Sequence, residues 1–358
     1  MITTLTLNNF RKFKKKTFEF ERNITIFYGK NAQGKSSILE ALYLISCGKS
    51  PWTSTDEYIN TQQTEQIHTR IDIQKDSKSY AYFKDQSQRI FKIDGKNVKP
   101  KTFFTNSSAT IFNPEKIELL MISPSQRRNF LDETIMKYNY EYENILKEFR
   151  RILRQRNAHL KRLAKLFYEK GIVAINDTQL SFWTNKFVQS SIPIIQNRIK
   201  LANNLSGMGY EIKYITECNI DKRRINNTEY IEEHLTNILE GNKRKDIATG
   251  YTNIGPHRDD WEIHNGVDIK KFGSRGEKRL AVGQLIFQTQ GVVKNETGFY
   301  PILLLDDIAS ELDKQNTKKI FNKDILDKQQ TFITAINYKT LPKDITSDAN
   351  LILLDDQS

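Results

Sequence analysis

Gly29-Lys30-Asn31-Ala32-Gln33-Gly34-Lys35-Ser36 satisfies the spacing G-x-x-x-x-G-K-[ST] and lies between two segments of different periodicity. Before it, Asn23 to Tyr28 carries the β-branched residues Ile24, Thr25 and Ile26, a strand signal. After it, Ser36 to Cys47 sets Ile38, Leu42 and Ile45 at helical spacing, and Gly48 stands where that helix ends. Strand, glycine-bounded loop and helix in this order make an anion cradle: the glycines let the backbone wrap round a phosphate, and N–H groups at the helix N-terminus point at it. In such a loop Lys35 bridges the β- and γ-phosphates and Ser36 sets its hydroxyl on Mg²⁺. Gly29 through Ser37 are therefore assigned to ATP binding, with Lys35 also catalytic. The plain alternative is a glycine turn with a surface lysine, and the flanking strand and helix argue against it.

The matching acids come far along the chain. Ile302-Leu303-Leu304-Leu305-Asp306-Asp307 is an apolar run too short for a helix, suited to a strand buried on both faces of a parallel sheet. At its carboxyl end Asp306 is expected to hold the Mg²⁺ shell opposite Ser36, and Asp307 to face the attacking water as general base. A large insertion then separates two halves of one ATPase site.

Upstream of that strand, Gly273-Ser274-Arg275-Gly276-Glu277 opens a helical stretch that runs through Leu280, Leu285 and Phe287. Ser followed by Gly at a helix N-terminus makes a second anion site. One nucleotide has no use for two γ-phosphate sites in one chain. Ser274 and Gly276 of one subunit are therefore expected to cap the γ-phosphate of ATP bound by another, which makes ATP the closer of a homodimer. A simple helix cap at Ser274 is the alternative.

Between these motifs the texture changes twice. Ile67 to Val98 reads as short strands with a turn at Asp94-Gly95. Gln126 to Tyr168 reads as a long helical stretch in which Arg156 and His159 interrupt the heptad, so packed helices are expected, not an extended coiled coil. Helical patterns follow at Gln179 to Leu205 and Tyr230 to Leu239, and strand and turn signals return after Gly241-Asn242. The expected division is 1–125, an ATPase lobe with a β-rich arm; 126–245, a mainly helical lobe; and 246–358, the rest of the ATPase lobe. The fold class is α/β, a P-loop lobe with a mixed sheet plus a mainly α-helical second lobe.

The chain of 358 residues has 55 Lys and Arg against 43 Asp and Glu, a formal charge of +12 that favours a polyanionic partner or reflects an Asn-, Lys- and Ile-rich composition. Two cysteines are too few for a disulfide framework or a zinc site. No stretch approaches the roughly 20 apolar residues that cross a bilayer, and Met1 to Leu7 alternates like a strand and lacks an export-signal pattern. No membrane partner and a cytoplasmic, nucleoid-associated location are expected.

Several motifs together resemble the RecF family of bacterial DNA repair ATPases, relatives of ABC-type and SMC-type heads. They are Leu7 to Arg11, the loop continuing into Leu39-Glu40-Ala41, Ile111 to Glu115, Arg127 to Asp132, Gly255-Pro256-His257-Arg258-Asp259-Asp260, Ser274 to Glu277, and Leu303 to Asp307 with Ser310 to Asp313. The resemblance implies ATP-dependent dimerisation, duplex DNA binding, slow DNA-stimulated hydrolysis, and work with RecR and RecO in DNA replication, DNA damage repair and the SOS response. It also makes Asp313 the acid at the dimer seam. Two features depart from ABC-type heads: Thr331 to Asn337 offers Asn337 or a threonine where a histidine is usual, and the second acid is Asp307, shorter than glutamate. Gly255 to Asp260 has no chemical role legible in sequence, and a salt-bridged turn or an interface are both open.

For DNA, Lys147 to Lys165 is the richest cationic stretch, with Arg150, Arg151, Arg154, Lys161 and Arg162 as the candidate phosphate contacts, and Arg156 in the same run. Lys12, Lys14, Lys15 and Lys16 form a second cluster. No base-reading motif is evident, so backbone binding with little sequence preference follows. A small-molecule kinase and a slow ATP-binding scaffold are the competing readings of the same loop.

Overall fold

Five short apolar runs pair edge to edge in a parallel sheet: β3 (Ile24–Tyr28), β8 (Ala109–Phe112), β12 (Ile302–Asp306), β13 (Thr331–Ala335) and β14 (Asn350–Leu353), in the order β14-β3-β13-β12-β8. β8, β12 and β13 are buried at every position, as parallel strands covered on both faces must be. This arrangement comes from a computed structural model, which describes residues 1–53, 68–85, 87–105, 107–172, 174–307, 317, 319–320 and 322–355.

The chain divides into two compact units, Met1–Glu118 with Ser274–Ser358, and Leu119–Gly273. In the first, an antiparallel sheet accompanies the parallel one. It is built from β1 (Ile2–Phe10), β2 (Phe13–Glu19), β4 (Thr69–Lys75), β5 (Lys78–Lys84), β6 (Arg89–Ile93) and β7 (Lys96–Asn97), in the order β2-β1-β4-β5-β6-β7. The β-structure of this unit is thus two sheets, one wholly parallel and one wholly antiparallel. They are pinned together by rings: Phe18 meets Phe27 at 5.7 Å between centroids, and Phe20 meets Phe332 at 4.9 Å, both edge to face. Helix Lys35–Cys47 buries Ile38, Leu42 and Ile45 as its spacing requires, and Gly48 closes it at φ 76°.

In the second unit, helices Pro124–Met136, Tyr142–Lys170, Thr178–Asn204, Thr228–Gly241 and Lys243–Thr249 accompany a three-stranded sheet. That sheet is β9 (Glu211–Ile215), β10 (Asp260–Asn265) and β11 (Val267–Asp268), in the order β11-β10-β9. Two expectations are corrected. Residues 243–249 are helical where strand signals were expected, Asn242 and Gly250 bounding the helix. The second boundary falls at 273/274, not at 245/246, because Asp260–His264 pairs with Glu211–Ile215 and so draws Gly255 to Asp260 into this unit.

The two residues that interrupt the heptad are anchors. Arg156 is wholly buried and donates to Asp246 at 2.8 Å and Thr252 at 2.6 Å, while His159 pairs with Asp177 at 2.7 Å. A buried guanidinium is tolerated only when paired in this way.

Candidate nucleotide-binding site

The loop 29–36 leaves the carboxyl end of β3 and enters helix Lys35–Cys47, so it lies at the edge of the parallel sheet where ligands of open α/β sheets bind. Its glycines are demanded by geometry. At Gly34 (φ 88°) a Cβ would come within 2.7 Å of the Phe13 ring, and at Gly29 (φ 147°) within 2.2 Å of the Leu354 carbonyl oxygen. Lys35 Nζ donates to the carbonyls of Gly29 and Lys30, both at 2.7 Å, which holds the ammonium inside the loop. Burial lowers the Lys35 pKa, against the opposing pull of Asp307 and Asp306.

β12 delivers the acids. Ser36 Oγ donates to Asp306 Oδ1 at 3.0 Å, and Thr334 Oγ1 donates to the same oxygen at 2.7 Å from the adjacent strand β13, where Thr334 is the register partner of Asp306. The Asp307 N–H donates to Thr334 Oγ1 at 2.9 Å, and Asp307 itself takes φ 50°. Burial raises the Asp306 pKa, offset by the hydrogen bonds from Thr334 and Ser36. A serine hydroxyl and a carboxylate converging on one point are the hard oxygen donors that Mg²⁺ takes, and the loop is a fit for phosphates; Ser36 and Asp306 would hold the ion. Thr334 is one of the two threonines of the stretch that lacks a histidine. Asn337, by contrast, is exposed and caps the short turn Tyr338–Thr340.

Two parts of this neighbourhood have no signal in local periodicity. Arg11, at φ 52° in the tip between β1 and β2, makes a two-pronged ion pair with buried Glu40, 2.7 Å on each arm, and Ser50 Oγ adds a third contact at 2.6 Å. That clamp ties the tip to the helix following the loop. Its neighbour Lys12 reaches Gln33 Oε1 at 3.1 Å, so it lies against the phosphate loop, apart from its expected role in a basic DNA cluster.

Ser274 begins helix Arg275–Thr297 with a capping box: its Oγ accepts from Glu277 N at 3.3 Å, and its N–H donates to Glu277 Oε2 at 2.7 Å. Ser274 is exposed, and among the described residues its bonds are all to its own helix. Asp313 and Ser310 to Leu312 lie outside the described residues.

On helix Tyr142–Lys170, Arg150, Arg151, Arg154, Lys161 and Arg162 are all exposed. Arg151 is shared with Glu148 at 2.7 Å, and Lys161 sits over the Tyr251 ring at 5.1 Å. Arg156 leaves the candidate set, since it is buried on Asp246. Gly255 to Asp260 proves to be a polar turn: Pro256 O accepts from Arg198 at 2.6 Å, Asp259 from Tyr214 OH at 2.7 Å, and Asp260 pairs with Arg127.

A family model described as RecF/RecN/SMC N terminal domain matches residues 1–350. The DNA replication and repair protein RecF of Clostridium kluyveri is 34% identical, covering 99% of this chain and 97% of that protein. RecF of Clostridium acetobutylicum is 32% identical, with 99% and 98% covered. A solved structure of the recombination mediator protein RecF-ATPrS in the RecFOR pathway has a TM-score of 0.80 at 28% identity, covering 96% of this chain and 94% of that one. An SMC head bound to the C-winged helix domain of ScpA shares the fold, with a TM-score of 0.51 at 16% identity over 98% of this chain and 93% of that one.

A phosphate loop and acid pair at the carboxyl ends of a parallel sheet, beside an antiparallel sheet, define a nucleotide-binding head of the ABC and SMC class. Within that class, the chain belongs to the RecF family of DNA replication and repair proteins. Among the described residues no helix is long and apolar enough to cross a membrane.

Proposed function

We propose that this protein is an ATP-gated clamp on duplex DNA, closing as a homodimer when ATP binds and reopening after hydrolysis. The carrying observation is the division of the site. Ser36, Asp306 and Thr334 form one hydrogen-bonded cluster beside the loop that holds Lys35, while Ser274 presents an exposed helix N-terminus that, among the described residues, bonds only within its own helix. Two such helix ends in a pair of chains can each cap the γ-phosphate of the opposite site, with Asp313 near the seam.

Within one chain, the loop N–H groups and Lys35 bind and orient the phosphates, and Ser36 and Asp306 fix the Mg²⁺ position. Bound Mg²⁺ would supply neutralising charge across the β- and γ-phosphate oxygens. Asp307 orients the attacking water and takes its proton. A carboxylate one methylene shorter than glutamate reaches that water poorly, which supports slow hydrolysis.

Arg150, Arg154, Lys161 and Lys165 recur at helical spacing on one face of Tyr142–Lys170, a stripe suited to a phosphate backbone, with Arg151 and Arg162 beside it. The relative described in the RecFOR pathway supports RecR and RecO as partners; gapped DNA as the substrate and action in the cytoplasm at the nucleoid belong to the same proposal. Sedimentation velocity with and without ATP and duplex DNA tests the reading. The protein is expected to dimerise with ATP and bind DNA in that form, and Lys35→Ala to do neither; a wild-type monomer at saturating ATP overturns it.

A further inference from the structure

The first unit carries a recess of about 1020 Å³ on the side of its parallel sheet away from the nucleotide site. Asn23, Ser108, Ile302 and Gln330 line it, and each lies at the amino end of a parallel strand, whereas the phosphate loop and Asp306 lie at the carboxyl ends. It is larger than most small-molecule sites, which run to about 1,000 Å³.

Its charge is one-sided. Lys75, Lys78, Lys101 and Lys328 stand on its walls, and the single acid among the described lining residues, Asp76, is paired with the Met1 ammonium. Lys78, Lys101 and Lys328 are exposed and have no carboxylate partner among the described residues. The end of helix Arg275–Thr297 also borders the recess at Gly298, but it brings only about half a negative charge, which the three exposed ammonium groups outweigh. Ser108, 6% exposed, contributes a buried Oγ with no hydrogen-bond partner among the described residues, a polar atom that an incoming ligand can satisfy.

The lining is also partly apolar. Phe299 is half-buried and Ile302 almost fully buried. A nucleic-acid track requires cations that follow a backbone across a surface; here the cations share one concave recess with apolar side chains. We propose that this recess binds an acidic linear peptide of a partner protein. Carboxylates of the peptide meet Lys78, Lys101 and Lys328, and an apolar side chain enters against Phe299 and Ile302. The site is independent of the nucleotide cycle proposed above.

The test is fluorescence anisotropy of the full chain with a fluorescein-labelled peptide Glu-Asp-Leu-Asp-Phe-Glu. A second peptide with every acid replaced by its amide, and an oligothymidylate, serve as comparison probes. The acidic peptide is expected to bind saturably and to weaken with salt, and its amide analogue not to bind. Lys101→Glu with Lys328→Glu, both at exposed positions, is expected to weaken the acidic peptide by about tenfold or more while leaving ATP binding intact. Absence of saturable peptide binding, or equal affinity in the double variant, overturns the proposal. So does oligothymidylate binding that the double variant abolishes while the peptide does not bind, which would make the recess a nucleic-acid site.

Discussion

Ser36 and Asp306, 270 residues apart, are joined by a 3.0 Å hydrogen bond from the serine Oγ to a carboxylate oxygen that also accepts from Thr334 at 2.7 Å. The three side chains come from the start of a helix and from two neighbouring strands, so the cluster closes only when β12 and β13 pair in the observed register. Thr334 holds the carboxylate that would bind Mg²⁺ in the proposed site. Thr334→Val is therefore expected to weaken Mg²⁺ by about 10- to 100-fold, as loss of a ligand-orienting partner does. Mg²⁺ titration of a fluorescent ATP analogue measures this, with nucleotide binding in EDTA expected to stay unchanged.

Ser274 serves its own helix as a cap and, in the proposed dimer, the partner's γ-phosphate. The two roles separate by substitution. Aspartate caps a helix as well as serine does, so Ser274→Asp is expected to leave thermal stability nearly unchanged. Its carboxylate would face the γ-phosphate, and ATP-dependent dimerisation is expected to disappear with ATP binding retained. Sedimentation alongside a melting curve reads both; dimerisation at wild-type strength would leave Ser274 as a cap alone.

In the second unit, Asp132 accepts two hydrogen bonds from Arg198, each at 2.8 Å, and a third from Tyr142 OH at 2.8 Å, all in buried surroundings. Asp132→Ala strands a buried guanidinium. The expected cost is about 3–5 kcal/mol of unfolding free energy, measured by urea denaturation. Arg198→Lys, which keeps the charge but loses the fork, is expected to recover only part of it.

The turn Gly255 to Asp260 contains a buried carboxyl and a half-buried imidazole with opposite titration behaviour. Burial pushes the Asp259 carboxyl from 3.8 up to about 6, and burial pushes His257 from 6.5 down to about 4. The raised pKa of Asp259 gives stability that is present at low pH and lost as pH rises through about 6. The lowered pKa of His257 gives stability that is present above 6.5 and lost as pH falls through about 4. Each amounts to about 3 kcal/mol, so between these limits the two slopes largely cancel. Asp259→Asn is expected to unmask stability that rises with pH across this window, and His257→Asn stability that falls. Urea unfolding at a series of pH values distinguishes them.

The phosphate loop, the acid pair after an apolar strand and the capped helix at Ser274 were legible because each needs its residues within one short stretch, where a turn or a helix end sets the spacing. Arg156 shows where that logic stops. In sequence it belongs to a basic run, yet in the fold it is the buried partner of Asp246, and no spacing along one helix reveals a carboxylate 90 residues away. Glu40 and Arg11 were visible only as pieces of motifs, and their ion pair depends on a hairpin tip folding back over helix Lys35–Cys47.

By itself, the sequence determined that this protein has a phosphate loop, a buried acid-tipped strand and a helical insertion, since local periodicity and short motifs encode those directly. Only the tertiary structure decided that strand Asp260–Asn265 joins the inserted unit, that Thr334 completes the acid cluster, and that four lysines line one recess. Those outcomes depend on which strands pair and in what register, and long-range pairing is selected by the burial of whole faces, which no single stretch of chain specifies.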